Sequence, residues 1–271
     1  MLSVQKYIEL SPFPLTEGDI KSLGQKDEEY IPHTWQEIKD NIKSLTQRHA
    51  EAEGDMSVLN RAPSDLRNYI LWVRETRNKN DSVIGFLLRE RLLWKKVAQA
   101  EHNDTQASTG LAFEYQDETP FAHPADYKIL RNDWPYGLEH NIVHLVVWLK
   151  TRIPVEEDGQ GGPTAESRKL IEDFVDRTFT QKIVERHREI NGNCPNNVKE
   201  ENVMWFKNKK KWQTVASIEH IHVILRDVDE DLVVGWTGQT SMDITARSYV
   251  WNGQYMLNTH AAARIERWCI E

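Results

Sequence analysis

His220 and His222 sit one residue apart in the run Ser217-Ile218-Glu219-His220-Ile221-His222-Val223-Ile224. Alternate side chains of a strand share a face, so the two imidazoles stand side by side with Ile218 and Ile224 beyond them, and Glu219 points the other way. Two imidazoles converging on one sheet face, flanked by branched apolar residues, can form half of a metal site, a general acid/base pair or a nucleophile site. His144, in the apolar run Ile142 to Leu149, can bring a third nitrogen if its strand is a neighbour.

The rest of the chain must position that strand. A lead-in at Ser11-Pro12-Phe13-Pro14 precedes a mainly helical region. Thr34-Trp35-Gln36-Glu37 has the spacing of a capping box. After Pro63-Ser64-Asp65, the residues Leu66, Tyr69, Ile70 and Val73 recur at helical spacing, and a further helix is expected over about Ser82 to Trp94. Residues 101–119 are polar and weakly patterned, which predicts a mobile loop able to act as a lid. Beyond residue 126 the pattern becomes strand-like. Strands are expected at Tyr127 to Arg131, Ile142 to Leu149, Val203 to Phe206, Val215 to Leu225 and Leu232 to Trp236. Thr164 is placed to cap a long helix whose buried side includes Leu170, Phe174, Thr178 and Phe179. The expected class is α+β: an antiparallel sheet with a long helix over residues 120–271, and a helical region over 1–119 packed on it as one unit.

Composition narrows the functions. Lys and Arg number 34 against 42 Asp and Glu, a net charge of −8, which argues against a nucleic-acid partner despite the basic run Lys207 to Lys211. With only Cys194 and Cys269, no disulfide framework or cysteine-based zinc site is expected, and neither a metal nor an organic cofactor. The Met1 to Lys6 start lacks the apolar run of a signal peptide and no stretch is long enough to span a bilayer, so the expected setting is cytoplasmic with no membrane partner. Ten Trp in 271 residues leave several for a ligand cavity, with Trp134, Trp148, Trp205 and Trp236 as candidate walls. The partner these features imply is a small-molecule substrate; the oligomeric state is left open.

Several motifs occur in a telling order: His33-Thr34-Trp35, Arg61 to Tyr69 (RAPSDLRNY), Asn132 to Leu138 (NDWPYGL), His144 to Lys150 (HLVVWLK), Trp205 to Asn208 (WFKN) and Glu219 to Val223 (EHIHV). Together they resemble the fungal N-acetylglucosamine-induced protein family. One departure is visible: the family tends to place Trp directly after the WFKN-type Asn, whereas here Lys209 follows and Trp212 comes later. The second half also resembles, more distantly, the histidine-triad (HIT-like) fold. Asp133, Pro135 and Lys150 fall in plausible places, and Ser217, Ile218, His220 and His222 match the later motif, with His222 at the nucleophile's position. Ala216 replaces its Gln and Ile224 its third His.

These resemblances imply two enzymatic readings. In the first, relatives in fungal natural-product pathways suggest a cofactor-free terpenoid or polyketide cyclase, including a Diels–Alderase-type pericyclase, in which His220 or His222 hydrogen-bonds the substrate. The apolar Ile224 beside the site suits such a ligand better than a phosphate dianion. In the second, a degenerate triad hydrolyses or transfers nucleotide phosphoesters, with His222 attacking phosphorus, His220 assisting, and Ser217 and Lys150 on the phosphate oxygens. A ligand-binding module without catalysis is the third class. Tyr136, His144, Asn208 and Ile224 complete the expected substrate-contacting set with the tryptophans.

Overall fold

The computed structural model describes residues 2–47, 59–78, 82–97, 111–157, 162–192, 198–208 and 215–241. Four strands form one antiparallel sheet: β1 (Tyr127–Arg131), β2 (Ile142–Leu149), β3 (Val203–Phe206) and β4 (Glu219–Arg226), in the order β1-β2-β4-β3. The β2–β4 register sets His144 opposite Ile224, Val146 opposite His222 and Trp148 opposite His220. Period two does the rest: these six side chains share one face, and Leu145, Val147, Ile221 and Val223 share the other. Both central strands are covered on both faces, so nearly every side chain in them is buried, the three histidines included.

The second face carries the main core. Helices α6 (Ala165–Val175) and α7 (Gln181–Asn191), joined by a π-helical turn at Asp176–Thr180, act as one long element across it. Phe174, Phe179, Ile171 and Ile183 are buried there against Leu145, Val147, Ile221 and Val223. Thr164 caps the start, its Oγ1 accepting from the Ser167 amide at 3.1 Å. Leu170 and Thr178 are only half-buried, on the flank of the stripe.

Over the histidine-bearing face lie the N-terminal helices α3 (Trp35–Gln47), α4 (Pro63–Asn78) and α5 (Val83–Phe86), and α1 (Val4–Leu10) and α2 (Glu17–Leu23) pack on α4. The capping box at α3 forms, with the Thr34 amide donating to Glu37 at 2.8 Å. Helix α3 lays Trp35, Ile38 and Ile42 on Met204, Phe206 and Ile224. Helix α4 buries Leu66, Tyr69, Ile70 and Val73, the stripe read from the sequence. Helix α5 continues as a π-helical turn, Leu87–Leu92, and stops at Leu93 in the left-handed region with φ 59°. A short α8 (Val198–Asn202) leads into β3.

Two strand expectations are corrected. Leu232 to Trp236 lies within helix α9 (Glu230–Thr237), not a strand. A five-residue apolar run does not distinguish strand from helix; the deciding signals are the flanking ones, Glu230 and Asp231 in the first turn and Gly238 with φ 65° just past the end. Val215 to Ser217 forms a turn, and β4 begins at Glu219.

A tight approach pins the β1–β2 connection to the helical layer. Tyr30 Oη donates to Asn60 Oδ1 at 2.9 Å, and its ring lies where a Cβ on Gly137 would fall. His33 and Gly137 are joined by a backbone bond of 2.8 Å. Gly137→Ala is therefore expected to destabilise by about 1–3 kcal/mol through overpacking, measurable by urea unfolding. Tyr30→Ala in the same chain should return part of that loss.

Candidate active site

Between the histidine face of the sheet and helices α4 and α5 lies a cavity of about 230 Å³. Trp148, Val146, His220 and His222 line it from the sheet. Tyr69, Trp72 and Phe86 line it from the helices, and Trp134 and Tyr136 from the β1–β2 connection. The aromatic wall is continuous: ring centroids are 5.3 Å apart for Tyr69 and Trp134, 5.5 Å for Trp72 and Trp134, and 5.3 Å for Trp72 and Phe86. Such a wall binds flat or apolar bodies by area and by ring contact.

The polar floor is a chain of hydrogen bonds. Asn208 Nδ2 lies 3.2 Å from His222 Nε2, and His222 Nδ1 lies 2.9 Å from His144 Nε2, so the two imidazoles share one proton-bearing bond whose direction the tautomers set. Phe206 stacks on His222 with centroids 4.7 Å apart, and Tyr136 stacks on His144 at 5.2 Å. Both nitrogens of His222 are thus engaged. His220 differs: its Nδ1–H donates to the Ile218 carbonyl at 2.8 Å, leaving Nε2 as a lone-pair acceptor beside Trp148.

All three imidazoles are neutral at ordinary pH. Burial pushes His144 down to about 3, with the Arg61 charge adding to the effect. Burial, then the neighbouring imidazoles and Arg61, hold His222 well below the usual histidine range. Burial also lowers His220, opposed in part by its bond to Ile218 and by Glu219. On the wall, Asp133 is clamped by Arg91 through two bonds of 2.7 Å, yet burial keeps its carboxyl above the usual range.

The expected site residues divide. His220, His222, Trp134, Tyr136, Trp148 and Asn208 come together around the cavity. His144 stands behind it and touches it through His222. Ile224 is buried in the α3 cluster beside the floor, among Trp35, Ile38 and Phe206. Four expected contacts lie elsewhere. Trp205 points to the opposite sheet face, as strand alternation requires once Phe206 faces His222. Trp236 stacks edge-on against Phe179 under that same face, because its segment is helical. Lys150 lies 3.7 Å from Asp126 and 5.9 Å from the Trp94 ring. Ser217 is in the turn before β4 and is not among the described lining residues. Of the expected loop, residues 111–119 are held by Phe113 against Trp94 and by Asp126 accepting from the Gln116 and Asp117 amides, and 101–110 lie outside the described residues. Among the described residues no group of three or more His, Cys, Asp and Glu is arranged to hold a metal ion.

Arg61, Tyr69, Trp72, Val146 and Arg91 line or brace the cavity without having been singled out as site residues, whereas Asn132 and Asp133 belong to the Asn132 to Tyr136 turn expected to border it. Val146 was within reach of strand periodicity, since it falls between His144 and Trp148 on one face. The residues from α4 were not, because nothing local reports which sheet face a helix covers.

This is an α+β protein whose four-stranded sheet and N-terminal helices enclose an aromatic-walled cavity over neutral imidazoles. The chain belongs to the family described as "Protein of unknown function (DUF3605)", which matches residues 34–226. It is similar to N-acetylglucosamine-induced protein 1 of Candida albicans, with 27% identity over 244 residues, covering 88% of this chain and 87% of that protein. It is also similar to "Uncharacterized protein YPL067C" of Saccharomyces cerevisiae, with 27% identity over 105 residues, 39% of this chain and 46% of that one. Both relatives are fungal. A solved structure titled "Crystal Structure of HTC1" aligns with a TM-score of 0.45 and 19% identity, covering 79% of this chain and 91% of that one. Among the described residues no helix is long and apolar enough to cross a membrane.

Proposed function

We propose that this protein is a cofactor-independent enzyme acting on a small, largely apolar metabolite, a terpenoid or polyketide cyclase of the Diels–Alderase type, built on a histidine-triad-like sheet. The observation that carries this reading is the pairing of an aromatic-walled cavity of about 230 Å³ with imidazoles that burial keeps neutral. A cavity of that kind holds an apolar chain in a folded conformation, bringing its reacting carbons together and lowering the entropic part of the barrier. His220 has the role requiring a free nitrogen: its Nε2 accepts a hydrogen bond or a proton from a substrate hydroxyl, activating the molecule for ring closure. His222, with both nitrogens engaged, holds Asn208 and the floor in place.

The nucleotide phosphoester reading is less well supported. It needs a presented His222 nitrogen together with Ser217 and Lys150 on the phosphate, and neither of those two is among the described lining residues. The test is to incubate the purified protein, without metal or cofactor, with linear polyene and terpenoid–polyketide precursors and separately with nucleoside phosphoesters. The expected result is ring-closed product of unchanged mass or of mass reduced by one water. His220→Gln should slow it by about 10²–10⁴-fold if proton transfer limits the rate. Phosphoester turnover with no cyclisation would overturn the proposal.

A further inference from the structure

Arg61 stands on the cavity wall immediately before helix α4, half-buried, with its guanidinium carbon 4.3 Å from the centre of the Tyr69 ring and 5.8 Å from that of Tyr136. Its Nε donates to the Trp134 carbonyl at 3.1 Å. A guanidinium carries five N–H donors, and among the described residues that carbonyl is the one hydrogen-bond partner of the Arg61 side chain; its backbone carbonyl accepts from Ser22, and Asp65 on α4 feels its charge without forming a direct ion pair with it. The other charged groups on the wall are differently placed. Asp133 is held by Arg91, Arg131 reaches Glu230, and Asp19 closes its own helix cap by accepting from Thr16. The bond at Nε and the two flanking rings fix the plane of the guanidinium while leaving its terminal nitrogens for a ligand. A fixed planar fork of that kind matches a carboxylate.

Resting on the reading of this cavity as a ligand site, we propose that the substrate is an amphipathic acid: an apolar body against Trp72, Trp134 and Trp148, ending in a carboxylate that pairs with Arg61. Two carboxylates, Asp19 and Asp133, share the wall, and their repulsion penalises a dianion more than a monoanion. That sets a single carboxylate apart from a phosphate monoester. Tyr136 links the two ends of the site, lying beside Arg61 on one side and stacking on His144 on the other. The acid group is thereby anchored close to the imidazole floor, and the body of the ligand is oriented across it.

Matched probes test this directly: the ω-phenylalkanoic acids from phenylacetate to 6-phenylhexanoate, each beside the alcohol of equal length. Binding is read by calorimetry and by quenching of tryptophan emission at pH 7.5. The expected result is an acid at least about tenfold tighter than its alcohol, as a charge-assisted pair provides. Arg61→Gln should abolish that preference while leaving alcohol binding in place, and Arg61→Lys should keep part of it. Equal binding of acid and alcohol to the unaltered protein overturns the proposal without needing any variant, and so does an undiminished preference in Arg61→Gln. Both of those outcomes leave the cavity standing as a ligand site. Failure of every acid and every alcohol to bind would instead remove the ligand-site reading, and this inference with it.

Discussion

Arg91→Ala should destabilise the protein by about 2–4 kcal/mol, because it strands a carboxylate that the fold has already half removed from water. Arg91 is 5% exposed in its side chain, and its two bonds to Asp133 are 2.7 Å each. The loss sits toward the low end for a buried pair, since 30% of the Asp133 side chain stays accessible. With the guanidinium gone, the Asp133 carboxyl, already raised by burial, moves further up. An acid raised in the folded state binds more protons folded than unfolded. The deficit of the variant relative to the unaltered protein should therefore shrink as the pH falls through that raised value and widen again as the pH rises. Urea unfolding at several pH values checks both claims. Asp133→Asn added to Arg91→Ala should restore a large share of the loss by removing the stranded charge. A cost under about 1 kcal/mol, or no recovery in the double variant, would show that the pair is not what holds this wall.

That pair illustrates where legibility in the sequence ends. His220 and His222 could be placed on one face from alternation alone, and His144 follows once β2 pairs with β4. The caps at Thr34 and Thr164 and the stripe along α4 were equally open to local reading. Asp133 and Arg91 are 42 residues apart, and Arg61 meets the Trp134 carbonyl across 73. No periodicity encodes such meetings; they depend on which sheet face the N-terminal helices cover. Trp205 and Trp236 show the converse. Their type suits a pocket, yet one faces the other side of the sheet and the other lies on a helix that a short apolar run disguises as a strand.

The protein should also be acid-labile well above the range where its carboxylates titrate. An unfolded histidine takes up a proton near 6.5, whereas burial holds His144 neutral in the folded state down to about 3. Between those values the unfolded chain binds a proton that the folded chain does not, so stability falls with every unit of acidification. At about 1.36 kcal/mol per unit, His144 alone accounts for roughly 4–5 kcal/mol across the interval, comparable to the whole stability of a marginal fold. His222 and His220 act in the same direction, since burial lowers both. Unfolding between pH 5 and 6.5 is therefore expected to take up more than one proton, a window chosen because most Asp and Glu are still ionised there. His144→Gln should flatten the slope by close to one proton, keeping a polar partner within reach of His222 Nδ1. If that variant shows the same dependence of stability on pH as the unaltered protein, His144 already titrates in the folded state. The floor of the cavity would then be open to water and charge, and the neutral imidazoles on which the proposed chemistry depends would be lost with it.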